Sequence, residues 1–263
     1  MFYVIVNNKS IDLYEEEIIL PLKDYSIGFD TYFSLEEIKE ISSKRKVNII
    51  INRFMHKNDL ISIKPIIDEL NSIVNLFFIE DLGLTNYVNK DKIVLFQSHI
   101  ANNYNAVNAF YNIGIKNIVI NNDLTIEEIK EIRKNTKANL FIISTSKTNL
   151  MYSRRKLLSS YYDHTNTNGE MIRNIKEMIS KKPLIIKEED KGTVIFNDKI
   201  TSLNKYFNEL EGINFIVNLS NMNNEEREIV MKHYKDVDLC NYIDIDDYFF
   251  NNKIIYKVGE RKW

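Results

Sequence analysis

The sequence predicts an α/β fold of parallel strands covered by helices, arranged as a (β/α) barrel of TIM type with a small inserted hairpin and helix region. Three observations carry this. Residues 92–97, 117–122 and 139–144 read KIVLFQ, NIVINN and NLFIIS, short apolar runs without polar alternation. Strands buried on both faces look like this, and they belong to parallel sheets covered by helices. Between the runs the period changes: in 124–134, Ile126, Ile129 and Ile132 recur every third position with charged residues on the other faces, the pattern of a helix lying on a sheet. Strand–helix–strand units cross over right-handedly and keep their strands parallel. The chain has 263 residues and no Gly-, Ser- or Pro-rich linker, which suits one barrel domain over 1–263.

The elements follow in order. Residues 2–6 form a first strand, and 18–22 and 26–29 are short extended pieces. The stretch SLEEIKEI (34–41) starts a helix with Ser34 and Glu37 as a capping box, and nearly duplicates TIEEIKEI (125–132), where Thr125 and Glu128 do the same. Residues 47–52 are a strand. Residues 58–70 are a helix with Leu60, Ile63, Ile66, Ile67 and Leu70 on one side, and Pro65 is expected to kink or end it. Residues 76–80 are a strand, 84–88 a helical turn and 103–112 a helix. After Ser144 the cadence stops. The stretch 147–163 is basic and aromatic, 171–180 reads as helix, and 184–188 and 193–197 flank Asp190-Lys191-Gly192 as a hairpin. Residues 145–200 are therefore expected to be the insertion. Then come a helix (200–210), a strand (213–219), two helices (224–234 and 241–248) and a final strand (254–258).

Composition excludes several classes. Net charge is −2, so no global charge points to nucleic acid or an anionic membrane, and any basic surface is local. The one cysteine, Cys240, cannot make a disulfide framework or a site of several thiolates. No run reaches the roughly 18 apolar residues of a transmembrane helix, and Asn7-Asn8-Lys9 interrupts the start as a secretory signal would not be. The expectation is a soluble, cytoplasmic protein with no membrane partner. Glycine-rich phosphate loops, H-E-x-x-H and G-x-S-x-G are missing.

In parallel α/β folds ligands sit at the carboxyl ends of the strands. Those ends carry Asn52, Arg53 and His56; Glu80 and Asp81; Gln97, Ser98 and His99; Asn121, Asn122 and Asp123; and Ser144. Convergent polar groups there would line a pocket. His99, which titrates near neutrality, and Asp81 and Asp123, as general base or anchors, are the catalytic candidates; the two Asp also suit helix capping. Asn52, His56, Gln97 and Asn103 are the binding candidates among strand ends and loops. His56, His164 and His233 are not at metal-ligand spacing, so no metal site is expected. Lys147, Arg154, Arg155 and Lys156 with Tyr152, Tyr161 and Tyr162 form one basic-aromatic patch, suited to holding phosphates and stacking a base. Tyr152, Arg154 and Arg155 are its binding candidates.

The chain resembles peptidase family U32, the collagenase-like group. The resemblance runs through most of 24–196: YFSLEEIKEI (32–41), INRFMHKNDL (51–60), IEDLGL (79–84), QSHIANNYNA (97–106), YNIGIKNIVINNDLTIEEIKEI (111–132), YSRRKLLSSYY (152–162) and KGTVIF (191–196). It implies a (β/α) barrel, often incomplete, and an acidic residue after the fifth strand that corresponds to Asp123. Many members carry Y-S-G-x-C-x-L/M-S within a four-cysteine set that holds an iron–sulfur cluster. Here Arg154 stands for the glycine and Lys156 for the cysteine, so a short, cysteine-poor branch without the cluster is expected, and no other cofactor. Similar cluster-bearing proteins act in hydroxylation of tRNA wobble uridine, of ribosomal RNA, or in quinone biosynthesis; others are named peptidases, and some act as pairs. The resemblance thus implies a cluster-free component of tRNA wobble-uridine hydroxylation (5-hydroxyuridine formation). It would bind RNA or a small metabolite at the barrel mouth, with tRNA and a cysteine-bearing U32 paralogue as partners. The alternatives are a peptidase and a non-catalytic partner-binding subunit. Ser98 beside His99 makes no dyad, because adjacent strand residues face opposite ways.

Overall fold

The computed structural model of the protein describes residues 1–97, 100–178, 181–246 and Phe250. The first seven strands are β1 (Phe2–Ile5), β2 (Glu17–Pro21), β3 (Val47–Ile51), β4 (Phe77–Ile79), β5 (Ile93–Leu95), β6 (Asn117–Val119) and β7 (Asn139–Ser153). Then come β8 (Ile172–Lys176), β9 (Pro183–Glu189), β10 (Gly192–Ser202), β11 (Ile213–Asn218) and the short β12 (Ile245–Asp246). β1 to β7 pair in chain order, each parallel to the next, and β11 closes the ring by pairing parallel with both β7 and β1. Among the described residues this is a closed barrel of eight parallel strands. No described helix is long and apolar enough to cross a membrane.

Strand alternation builds two layers of core. Ile5, Ile19, Ile50, Phe78, Val94, Val119, Phe141 and Ile216 point into the barrel, where they pack with Tyr3 and Phe29. Their neighbours, Ile49 and Ile51 or Phe77 and Ile79 for example, point outward and meet the helices. Covering helices are α1 (Leu35–Ser42), α2 (Lys57–Ile73), α3 (Tyr104–Asn112), α4 (Ile126–Lys134) and, after β11, α6 (Asn224–His233), while α5 (Leu157–Thr165) packs on β9 and β10 through Leu158, Tyr162, Ile186 and Ile195. Both expected capping boxes are present, at Ser34–Glu37 and Thr125–Glu128. Two crossovers lack an α-helix: β1 to β2 carries the 3-10 turn Ile11–Leu13, and β4 to β5 carries Leu82–Asn86 and Lys90–Lys92. The barrel is irregular in that sense.

Beyond the ring β7 continues upward. Its register passes from β11 (Val217 opposite Thr145) to β10 in antiparallel pairing, from Ser202–Thr145 to Thr193–Ser153. β10 pairs with β9 and β9 with β8, both antiparallel. The expected hairpin around Asp190-Lys191-Gly192 is the β9–β10 pair. Gly192 is required at its turn: φ is +142°, and a Cβ would lie 2.2 Å from the Ser153 carbonyl oxygen.

Several expectations are corrected. Of the expected helix over 171–180, residues 179–180 lie outside the described residues, and Ile172–Lys176 form β8 instead. Ile175 meets the satellite core of Leu158, Tyr162 and Ile186 from an edge strand, and pairing with β9 outweighs a helix-like spacing. Residues 200–202 stay in β10, and only the 3-10 turn Asn204–Glu209 follows. Of the helix expected over 241–248, residues 247–248 lie outside the described residues, and Ile245–Asp246 form the short β12 instead, Ile245 pairing beside Ile200. Residues 26–29 are loop, turned at Gly28 (φ +85°) under the Phe196 ring. The turn expected over 84–88 begins earlier, at Leu82. Helix α2 runs straight through Pro65. Pro65 and Ile61, whose carbonyl loses its partner, both lie on the exposed face, so water can take the unmade bond. The strand expected over 254–258 falls outside the described residues.

Candidate functional site

One step past the inner layer, the same alternation turns Asn52, Glu80, Phe96, Asn121 and Ile143 toward the barrel axis at its carboxyl end. All five line a cavity of about 180 Å³. Its floor is apolar: Phe96, Val119 and Ile143 belong to the interior cluster, and Phe96 meets Phe78 edge-to-face at 6.5 Å. The rising part of β7, Thr148 to Tyr152, forms one wall, and Phe54 faces Tyr152 across the rim in a stack at 5.8 Å and 11°. An apolar cavity near 150 Å³ admits benzene, so this one accepts a single six-membered ring.

Glu80 is the chemically distinctive group. Burial pushes its carboxyl up to about 8, and the neighbouring Asp81 charge adds to the effect. No hydrogen bond or ion pair reaches its carboxylate among the described residues. A carboxyl held this way keeps its proton at neutral pH and can exchange it near there. Beside it, the Gln97 Nε2 donates to the Glu80 carbonyl (2.7 Å), while the Gln97 Oε1 is buried with no partner among the described residues. A buried acceptor without a donor calls for a ligand or a water.

The other cavity amides are committed. Asn52 grips the loop after β2, accepting from the Ile27 N–H (2.9 Å) and donating to its carbonyl (3.0 Å). Asn121 donates to Asn102 and accepts from the Asp123 N–H. Asn122 donates to the Ile143 carbonyl. Asp123 lines the cavity with Glu80.

Of the expected site residues, then, Asn52, Gln97, Asp123 and Tyr152 come together at the mouth. Asp81 does not. Its carboxylate caps the next turn, accepting from the Gly83 N–H (2.8 Å) and the Met55 N–H (2.7 Å). Asn103 is likewise the N-cap of α3, accepting from the Ala106 N–H (2.9 Å). His56 and Arg154 meet just outside the cavity, Nη1 of Arg154 lying 3.0 Å from His56 Nε2, and Arg155, next in the chain, is exposed. His99 and Ser98 lie outside the described residues. Ser144 is buried and donates to the Ile216 carbonyl.

The basic-aromatic patch is divided. Lys147 is buried against Glu226 (3.0 Å) and Asp198 (3.8 Å), and Tyr162 belongs to the satellite core. Tyr152 lines the cavity, Arg154 meets His56 outside it, Lys156 faces Asp190 (3.9 Å), and Arg155 and Tyr161 are exposed. Glu80 stood among the strand ends in the sequence without being singled out. Its parity with Phe78 was the signal that separates it from Asp81.

Asp81→Ala is expected to cost about 1–2 kcal/mol, the usual loss for a helix or turn cap. Urea denaturation should show it, and because the Asp81 charge adds to the rise of the Glu80 carboxyl, the pH dependence of whatever Glu80 does should move to lower pH while burial keeps it above the ordinary carboxylate range.

The chain matches the profile described as Peptidase family U32 over residues 15–236. It is 29% identical over 136 residues to "Uncharacterized protease MJ0090" of Methanocaldococcus jannaschii, a match covering 49% of this chain. It spans only a third of that relative's length, 33%. The solved structure of the U32 peptidase Mk0906 superposes with a TM-score of 0.50 at 14% identity, over 82% of this chain and 91% of that one. At that identity the likeness is one of fold.

Proposed function

Taking as premise that the chain belongs to peptidase family U32, we propose that its barrel mouth receives the wobble uracil of a tRNA and serves its 5-hydroxylation. The observation that carries this reading is the buried Glu80 carboxyl beside a Gln97 Oε1 that has no partner among the described residues, above an aromatic floor in a one-ring cavity. A uracil edge offers an N–H donor next to carbonyl acceptors. Gln97 Oε1 would take the N–H, and protonated Glu80 would donate to a carbonyl oxygen. Phe54 and Tyr152 supply π-faces at the rim.

The four-thiolate cluster that many family members are held to carry does not fit these residues. The one thiol is Cys240, exposed on the turn Leu239–Asn241, and Lys156 stands at the cysteine position of the motif. No step is therefore assigned to a cluster in this chain. The oxidising chemistry belongs, in this reading, to a cysteine-bearing relative acting with it, while this chain binds, orients and exchanges a proton through Glu80.

Mass spectrometry of tRNA from a strain lacking the gene is expected to show a loss of wobble 5-hydroxyuridine. An unchanged level would end the reading. A second reading, peptide hydrolysis, draws on the relatives' names and on Glu80 and Asp123 sharing one cavity, since two carboxyls together can activate a water. Purified protein that leaves gelatin and a peptide library intact, with and without added divalent metal, removes it.

A further inference from the structure

Outside the cavity the mouth carries a second, cationic tier, and the geometry points to a phosphate site there: the ligand enters base first and leaves the phosphate of the same nucleotide on Arg154, Arg155 and His56. This rests on the reading of the cavity as a nucleobase site. The two chain segments that frame the rim, 52–56 and 152–154, face each other in two rungs. The inner rung is Phe54 against Tyr152, stacked, and both line the cavity. Two residues further along each segment the outer rung is His56 against Arg154, at 3.0 Å, both exposed and neither lining the cavity. A path from floor to solvent thus meets an apolar floor, a carboxyl and an amide, a pair of aromatic rings, and then nitrogen donors. A nucleotide presents its groups in the same order: ring edge, ring face and sugar, phosphate.

The charge state of the outer tier favours an anion. Among the described residues, neither Arg154 nor Arg155 has a carboxylate partner, although Arg227 is bound to Asp30 and Arg45 to backbone carbonyls. The carboxylates of this region face other cations. Asp59 accepts from the His56 N–H (2.9 Å) and faces Arg53 (3.6 Å), and Asp190 faces Lys156 (3.9 Å). Arg53 itself is buried beneath this rim with its Nε unpartnered. Arg154 against His56, with Arg155 next in the chain and also exposed, and neither arginine ion-paired among the described residues, makes a waiting anion site, and arginine's fork matches phosphate oxygens in pairs.

The test is calorimetric titration of the full chain with uridine, uridine 5′-monophosphate, uridine 3′-monophosphate and ribose 5-phosphate. At least one uridine monophosphate is expected to bind about tenfold tighter than uridine at low salt, as charge-assisted hydrogen bonds provide, with the advantage shrinking as salt rises. In the Arg154→Gln/Arg155→Gln double variant, whose melting curve verifies its fold, the gap between nucleotide and nucleoside closes. Equal affinity for nucleotide and nucleoside, or a gap that survives the double variant, overturns the phosphate site. Ribose 5-phosphate binding as tightly as the nucleotides keeps the phosphate site and overturns the nucleobase reading instead. No binding by any of the four overturns both.

Discussion

Phe141→Ala is expected to lower stability by about 4 kcal/mol, near the upper end for a buried aromatic truncated to a methyl. Phe141 is fully buried at the centre of the barrel. Its ring lies 5.2 Å from that of Tyr3 and 5.6 Å, edge-on at 89°, from that of Phe78. Such ring pairs contribute about 1 kcal/mol beyond their burial. The cost depends on whether the site can collapse, and here it cannot. The strands around it are tied to both neighbours in a closed ring, so the hole stays open. Phe141→Leu, which keeps most of the volume, should cost less than about 1.5 kcal/mol. Truncating Leu82, 42% exposed, should stay within about 0.5 kcal/mol. Denaturant midpoints for the three variants measure this directly; a loss below about 1 kcal/mol for Phe141→Ala would mean that the barrel interior is not packed as described. The effect also reaches the site, because Phe78 supports Phe96 at the cavity floor.

The barrel was legible because its strands are buried on both faces. Runs such as NIVINN and NLFIIS have no other use in a folded chain of this length, and the capping boxes fixed where α1 and α4 begin. What could not be read was structure set by distant partners. The upper half of β7, TSKTNLMYS, has the composition of a polar loop. It is a strand only because β10, some fifty residues on, pairs with it. Lys147 looked like part of a basic surface for the same reason. The Glu226 that buries its charge is seventy-nine positions away. β8 was hidden by its exposure, since an edge strand with one side in water keeps no two-sided apolar run. The site shows the opposite case, in which the information was present and a finer reading would have used it. Glu80 and Asp81 both end β4, but Phe78 is an inner residue. The residue two on must face the cavity and the next one must face away. Asp81 therefore caps, and Glu80 titrates. The same parity joins Asn52 to Ile50 and Asn121 to Val119.

Glu80→Gln is expected to stabilise the protein above pH 8, leave it unchanged near pH 4 and, on the proposed function, abolish uridine modification. The sign follows from the direction of the displacement. Below about pH 4.5 the carboxyl is protonated in both folded and unfolded chains, so ionisation takes nothing from stability. As pH rises through 4.5 the unfolded chain loses this proton, whereas the folded one holds it until about 8. Stability contributed by the neutral carboxyl is therefore lost across that window, and above it the wild type carries a buried charge with no partner among the described residues. At 1.36 kcal/mol per pH unit the ceiling is about 5 kcal/mol; the side chain keeps some access to water, so about 2–3 kcal/mol is the expected difference. Glutamine has the same shape and never ionises, and it escapes this loss. It also cannot pass on a proton, so the gene carrying this change should fail to restore wobble 5-hydroxyuridine in the deletion strain although the protein accumulates. Denaturation curves at pH 5, 7 and 9 give the first result and tRNA mass spectrometry the second. Parallel wild-type and variant stabilities across those pH values would show that Glu80 ionises as a surface carboxylate does. The mouth would then hold no proton to exchange, and its chemistry would have to rest on Asp123 alone.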